Sequence, residues 1–195
     1  MRRVIRSFPL TAIVFLLIAQ TIGEASNITN RLAMYFIADK VPRDDLVNGT
    51  AKVNEMTLAR EPILSDSDFL AYSVTNHQFT ITAEAAKRLA IGTSGRGTAA
   101  TSTGVVGYHL DGERPFVLVA SGERIYVGIF SSPTSSTMYF FSPFVYPSVP
   151  FVPEHSASPI KLRINFQVLP NDKRRDAPDP RDDPRFLTVV KALGL

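Results

Sequence analysis

A hairpin of two apolar strands constrains the fold of this chain more than any other feature. In RPFVLVASGERIYVGIF, residues 116–120 and 124–130 are rich in β-branched and aromatic side chains, as strands are. Residues 121–123 between them supply the turn. Both arms are largely apolar, so we expect them to be buried. The hairpin therefore predicts a β-sheet in which these two strands lie near the centre.

The stretch TNHQFTITAEAAKRLA changes from strand spacing to helix spacing. Phe79 and Ile81 alternate with polar residues, whereas the apolar residues that follow recur at three and four positions. This pattern predicts a strand over residues 78–82 that runs directly into a helix over residues 83–91. No loop is needed, because the hydroxyl of Thr82 can cap the helix while its backbone still belongs to the strand.

Further strands and a second helix complete the predicted fold. Strands are expected over residues 32–41, 51–58 and 160–168. Ser65 and Asp68 have the spacing of a capping box, which predicts a short helix from Ser65 to about Tyr72. Together these elements predict an α+β fold, with a mostly antiparallel sheet and two short helices packed on one face.

The first 25 residues have the organisation of a secretory signal peptide. Three arginines precede an uncharged stretch over residues 7–23, and Gly23 and Ala25 place small residues before the expected cut. Cleavage predicts an exported protein, periplasmic or extracellular. The alternative is an uncleaved anchor formed by the same stretch, because its length is close to that of a membrane span.

Charge and cysteine content limit the partners and the chemistry. Removing residues 1–25 takes away three arginines and one glutamate, and leaves 18 basic and 17 acidic residues. A nearly neutral chain without a basic stripe is not expected to bind nucleic acid. Cysteine is absent, which excludes disulfides and thiol catalysis, so the fold has to rest on its core.

The mature chain is expected to hold one domain and a tail. The α+β domain spans residues 26–168, and within it a Gly/Ser/Thr-rich run over residues 92–107 lacks the phosphate-loop pattern and is predicted to be a flexible loop. A charged, proline-rich linker over residues 169–185 leads to an apolar segment over residues 186–195, which can form a short helix that docks either on the domain or on a partner. Residues beyond Val168 are therefore expected to add little to the stability of the core.

The residue types that usually carry catalysis show no convincing pattern. His77, His109 and His155 are far apart and share no metal-ligand spacing with one another or with a carboxylate. Ser94 lies in GTSGR, which lacks the last glycine of a nucleophile elbow. The sequence therefore predicts a protein that is not an enzyme and needs no metal or cofactor. A secreted serine hydrolase, with a site assembled from distant residues, is the alternative.

The segment MYFFSPFVYPSVPFV combines six aromatic residues with three prolines. Prolines at this spacing argue against a central strand and predict an edge strand and an extended loop, whose aromatic side chains cover the core. The alternative is an exposed aromatic patch for a partner, formed by Tyr139, Phe141, Phe144 and Tyr146. An open edge over residues 138–146 would accept an extended peptide by β-augmentation.

Three segments follow one another in an order that resembles the head subdomain of the first periplasmic region of the SecD/SecF export machinery: PILSDSDF, HQFTITAEAAKRL and RPFVLVASGERIYVGIF. Small exported bacterial proteins that carry this head-like domain alone are more similar still, and residues 122–128 resemble their G-E-R-I-Y-L-G-like second arm. The likeness covers about residues 62–130. It implies helices on one face of a mostly antiparallel sheet, contact with polypeptide and no catalytic residues. It does not imply transport, because the transmembrane helices that couple proton flow to export are missing.

These observations lead to one functional expectation. The chain is expected to be an exported, non-catalytic binding or accessory domain of the bacterial envelope. Its expected partner is an extended polypeptide or another envelope protein, and it contacts the membrane only if its N-terminal segment stays uncleaved.

Overall fold

The structure is a computed structural model in which residues 31–93, 114–131, 137–147 and 158–195 are described. Ten helices and strands occur in these ranges: β1 (Leu32–Phe36), α1 (Arg43–Val47), β2 (Phe69–Ser73), β3 (Gln78–Ile81), α2 (Ala83–Thr93), β4 (Arg114–Ala120), β5 (Glu123–Phe130), β6 (Phe144–Pro147), β7 (Ile160–Asn165) and α3 (Pro184–Leu193). The predicted signal peptide and most of the predicted Gly/Ser/Thr loop lie outside the described residues, as do Ser94, His109 and His155. No helix in the described ranges is long and apolar enough to cross a membrane.

The strands form one curled, seven-stranded sheet within the described residues. Their order is β1–β4–β5–β6–β7–β3–β2, and every neighbouring pair is antiparallel except β5 and β6, which are parallel. The predicted α+β class with a mostly antiparallel sheet is therefore confirmed.

The hairpin of β4 and β5 lies inside the sheet, as its apolar sequence predicts. Ser121 and Gly122 form its turn, and both have positive φ angles, 49° and 80°, as the two-residue turn that matches strand twist requires. Across the pair, Gly128 faces Phe116. A Cβ atom at Gly128 would lie 2.3 Å from the ring carbon Cζ of Phe116, so any larger residue there would have to displace this buried ring.

Side chains that alternate along β4 divide the apolar interior into two cores on opposite faces of the sheet. Phe116 and Leu118 belong to the first core, Val117 and Val119 to the second. Helices α2 and α3 pack in the first core, whereas Leu46 of α1 packs in the second. The helices therefore cover both faces, which corrects the expectation of two helices on one face.

The segment predicted as a helix from Ser65 to Tyr72 is a single 3₁₀ turn followed by strand β2. The capping box does form, since the N–H of Ser65 donates to Asp68 Oδ2 at 2.8 Å, but the turn ends at Asp68. Phe69 and Tyr72 then contact Phe79 of β3, with ring centroids 4.7 and 4.6 Å apart. Because this cross-strand aromatic packing outweighs the local helix signal, the predicted helix is wrong.

Two other predicted strands have different outcomes. The strand expected over residues 51–58 is mainly a 3₁₀ turn, Val53–Glu55, and Leu58 makes only a single bridge with Ile37. The last predicted strand is confirmed in β7, where buried and exposed residues alternate.

The proline-rich segment enters the sheet instead of bordering it. Strand β6 pairs with β5 on one side and with β7 on the other. Pro143 precedes the strand and Pro147 is its last residue, so the prolines bracket a four-residue strand and leave its interior N–H groups intact. The prediction of an open edge over residues 138–146 is therefore wrong.

The C-terminal segment is part of the packed structure. Asp183 caps α3 by accepting the N–H of Arg185 at 2.9 Å, and the helix ends at Gly194 with a positive φ of 74°. Phe186 is fully buried among residues of the first core, in edge contact with Tyr72. The expectation that the chain beyond Val168 contributes little to the core is wrong.

Candidate functional site

The aromatic residues predicted as a partner site lie mostly inside the molecule. Tyr139 is fully buried in the second core and packs against Phe144, with ring centroids 5.7 Å apart. Phe141 is half-buried beneath the guanidinium of Arg174, which lies 4.0 Å from its ring centroid. The side chain of Tyr146 lies outside what the structure describes. Where their side chains are described, these aromatic residues cover the core and do not form an exposed patch.

One end of the sheet is closed by the chain itself. The outer side of β1 is paired with the segment that precedes the Asp66–Asp68 turn: the N–H of Met34 donates to the carbonyl of Leu64 at 2.9 Å, and the N–H of Ile63 donates to the carbonyl of Met34 at 2.8 Å. Farther along, the N–H of Ala59 donates to the carbonyl of Phe36 at 2.8 Å. Strand β1 therefore offers little edge to a partner.

The other end of the sheet is open within the described residues. Strand β2 pairs only with β3, and its outer side makes no backbone hydrogen bond to another described residue. Leu70, at an irregularity in the register, is 48% exposed, and Val74 just after the strand is 51% exposed. An unpaired strand edge flanked by exposed apolar side chains is a place where another chain can pair.

A polar cluster lies at the turn that joins β2 to β3. His77 ends this turn with a positive φ of 46°, and its carbonyl accepts the N–H of Ile164 at 2.8 Å. Its ring Nδ1 lies 3.2 Å from the hydroxyl of Tyr72. Burial and the nearby charge of Arg181 lower the pKa of His77, so its neutral imidazole is favoured.

The C-terminal segment brings two carboxylates to His77. One potential ligand atom from each of His77, Asp179 and Asp182 lies within 4.8 Å of the others. Asp179 is held in place by Arg181, whose Nη2 lies 2.5 Å from Asp179 Oδ2 and whose Nη1 donates to the carbonyl of Ile164 at 3.0 Å. Burial opposes ionisation of Asp179, but the hydrogen bonds from Arg181 outweigh it and lower the pKa of the carboxyl.

One buried tyrosine has no polar partner among the described residues. The hydroxyl of Tyr126 in β5 is buried and has no hydrogen-bond partner among the described residues. Burial raises its pKa, and the smaller electrostatic influences on it come from Tyr72, Arg181 and Asp179. A buried hydroxyl without a partner is uncommon in proteins, so this group is a weak point in the polar packing of the first core.

The charged residues of the second hairpin arm have structural roles. Arg124 Nη1 donates to three backbone carbonyls, those of Val53, Asn54 and Met56, at 2.7–3.2 Å. Glu123 accepts Arg185 Nη1 at 2.9 Å and so connects the hairpin to α3. Both charged side chains therefore connect the hairpin to neighbouring segments of the domain.

Sequence reasoning missed the cluster because its members are far apart along the chain. His77 has no metal-ligand partner within a turn, and the carboxylates come from a segment predicted as a solvated linker. The one local signal is DPRDDPR, residues 179–185, in which an aspartate precedes Pro-Arg twice. In both copies the aspartate accepts the N–H of the arginine two residues later at 2.9 Å.

No family model, no curated protein and no solved structure matches the chain. The function therefore has to be argued from the β2 edge and the polar cluster beside it.

Proposed function

We propose that this chain is an exported, non-catalytic binding or accessory domain of the bacterial envelope that takes up an extended polypeptide along β2. The observation that supports this most is the outer edge of β2, which is unpaired within the described residues, while the outer side of β1 is covered. A binding edge over residues 138–146 is no longer proposed, because β6 is paired on both sides.

Binding at this edge would use mainly the backbone. An added strand would satisfy the outward N–H and C=O groups of β2, which gives affinity that depends little on the sequence of the partner. Leu70 and Val74, both about half-exposed, would add apolar contacts beside those hydrogen bonds. A domain that binds in this way suits unfolded or extended chains of many sequences.

The resemblance to the SecD/SecF head subdomain is consistent with this site. The likeness covers about residues 62–130, and β2 lies within that range. In the export machinery the head is thought to engage translocating polypeptide. A relationship to small exported proteins with a head-like domain is part of this proposal.

Export is tested separately, by mass spectrometry of the N-terminus of the protein. An intact Met1 would contradict cleavage of the signal peptide.

The experiment measures binding of a fluorescent, permanently unfolded polypeptide to the purified domain by polarisation. Leu70→Asp and Val74→Asp each put a charge beside the strand edge at an exposed position, so they should weaken binding by about tenfold or more without changing the melting temperature much. Met138→Asp is the matched control, because Met138 is also exposed, at 58%, but lies far along the chain in the proline-rich segment.

Two results would contradict the proposal. One is the absence of binding to any unfolded chain. The other is a reversed pattern, in which Met138→Asp weakens binding and the two β2-edge substitutions leave it unchanged.

A further inference from the structure

Three side chains with metal-binding atoms converge from two distant parts of the chain. His77 comes from the β2–β3 turn, and Asp179 and Asp182 come from the 3₁₀ turn before α3. Their potential ligand atoms lie within 4.8 Å of one another. Ligands of a tetrahedral zinc ion, each about 2.0–2.2 Å from it, lie about 3.3–3.6 Å apart, so side-chain rotations that bring these three atoms closer together place them on a single ion.

A second observation comes from the hydroxyl group beside His77. The Tyr72 hydroxyl lies 3.2 Å from Nδ1 of His77, where it can accept a hydrogen bond from the ring N–H and leave Nε2 for an ion.

We propose that His77, Asp179 and Asp182 hold a divalent transition-metal ion of the Zn²⁺ class, which fastens the C-terminal segment to the β2–β3 hairpin. One imidazole and two carboxylates suit such an ion, whereas Ca²⁺ and Mg²⁺ need more oxygen ligands or more bound water. The chain has no cysteine, so a disulfide cannot make this connection.

Arg181 is compatible with this site. Its guanidinium donates to both oxygens of Asp179, at 2.5–3.0 Å. Each carboxylate oxygen has two lone pairs, so Asp179 can keep Arg181 and still bind an ion. The positive charge of Arg181 opposes a cation electrostatically, which favours an ion that gains much from the imidazole nitrogen over one that binds only oxygen.

The inference is tested by titrating the metal-free mature chain with ZnCl₂ in a calorimeter, with MgCl₂ and CaCl₂ in parallel. We expect one Zn²⁺ ion per chain and a melting temperature that rises with Zn²⁺ concentration, because the ion binds only the folded arrangement. Mg²⁺ and Ca²⁺ should bind much more weakly.

Asp182→Asn is the main variant, since Asp182 is exposed and the substitution keeps the shape of the side chain. His77→Asn is the second, because asparagine tolerates the positive φ of this position. Both should weaken Zn²⁺ binding by about tenfold or more, because mutation even of the residues that only support metal ligands costs about 10–100-fold in metal affinity. Asp176→Asn, an exposed carboxylate in the same segment, should leave it unchanged.

The proposal is overturned if Zn²⁺ does not bind, or if it binds equally well to the wild type and to Asp182→Asn. Leu70→Asp separates this inference from polypeptide binding at β2, since Leu70 is none of the three ligands. Val74→Asp is not used for that purpose, because the carbonyl of Val74 accepts the N–H of His77 at 3.3 Å.

Discussion

Thr82 connects strand β3 to helix α2 without a loop. Its N–H donates to the carbonyl of Asp68 at 2.9 Å, and its Oγ1 accepts the N–H of Ala85 at 3.1 Å. Thr82→Ala removes the cap and should lower the free energy of unfolding by about 1 kcal/mol, within the range of roughly 0.5–2 kcal/mol for such residues. Leu89→Ala should cost more, about 2–5 kcal/mol, because Leu89 is buried in the first core and its loss leaves a cavity.

Denaturant melts of the two variants check this order. If Leu89→Ala left the free energy of unfolding unchanged, the packing of α2 against the sheet would be contradicted. A role for this junction in binding would instead predict lost function with unchanged stability.

Asp172 makes the stability depend on pH in the acidic range. Hydrogen bonds from the side chain and the backbone N–H of Arg174 lower its pKa below the ordinary value of 3.8. A carboxyl with a lowered pKa in the folded state stabilises it fully above the unfolded-state pKa, and this contribution is lost as the pH falls through the folded-state pKa. Stability should therefore decrease below about pH 3.8.

Asp172→Asn removes this titrating group, so in urea melts its stability should depend less on pH below about pH 3.8 than that of the wild type. Asp176→Asn is the control, because the side chain of Asp176 is exposed and lies only near Arg175, at 3.5 Å. If the stability of the wild type and of Asp172→Asn depended equally on pH, Asp172 would not be a source of the acid sensitivity.

At the scale of elements, the C-terminal segment repeats one local arrangement of an aspartate and an arginine three times. Three aspartates accept the N–H of an arginine two residues later and pair with its guanidinium: Asp172 with Arg174, Asp179 with Arg181 and Asp183 with Arg185. Each arginine also reaches another part of the domain: the carbonyl of Asn48, the carbonyl of Ile164 and the carboxylate of Glu123. Partly exposed ion pairs contribute little individually, and together these three connect the C-terminal segment to the rest of the domain.

Helix α3 should then carry measurable stability. Phe186 is fully buried and packs edge-on against Tyr72 and Phe79, at centroid distances of 5.1 and 5.9 Å. Phe186→Ala should cost about 3–5 kcal/mol, and truncation after Val168 should lower the melting temperature by many degrees. Leu187→Ala is a milder comparison, because Leu187 is only partly buried. A truncated chain that melts like the full one would show that α3 is not part of the core.

Local patterns predict the parts of this fold that depend on neighbours in sequence. The β4–β5 hairpin, the strand-to-helix junction at Thr82 and the alternation along β7 all follow from residues a few positions apart. The segment from Ser65 to Tyr72 is not predicted by its own sequence. Its capping box predicts a helix, but Phe69 and Tyr72 pack against Phe79, which comes later in the chain, and so belong to a strand.

Distant pairing decides the rest of the molecule. The insertion of β6 between β5 and β7 depends on partners on both sides, and the sequence of β6 alone does not predict it. The same holds for the open edge of β2, which follows from the strand order, and for His77 beside Asp179 and Asp182. At this scale the sequence predicts most strands of the sheet but neither their order nor its edges, and the proposed function depends on those edges.

Amide hydrogen exchange, followed residue by residue with a saturating unfolded polypeptide, tests the role of β2 most directly. The account predicts that the amides of Phe69–Ser73 which face outward exchange quickly in the free domain and slowly in the complex, because the added strand accepts their hydrogen bonds. Protection confined to residues 137–147, or bound polypeptide with no change along β2, would contradict it.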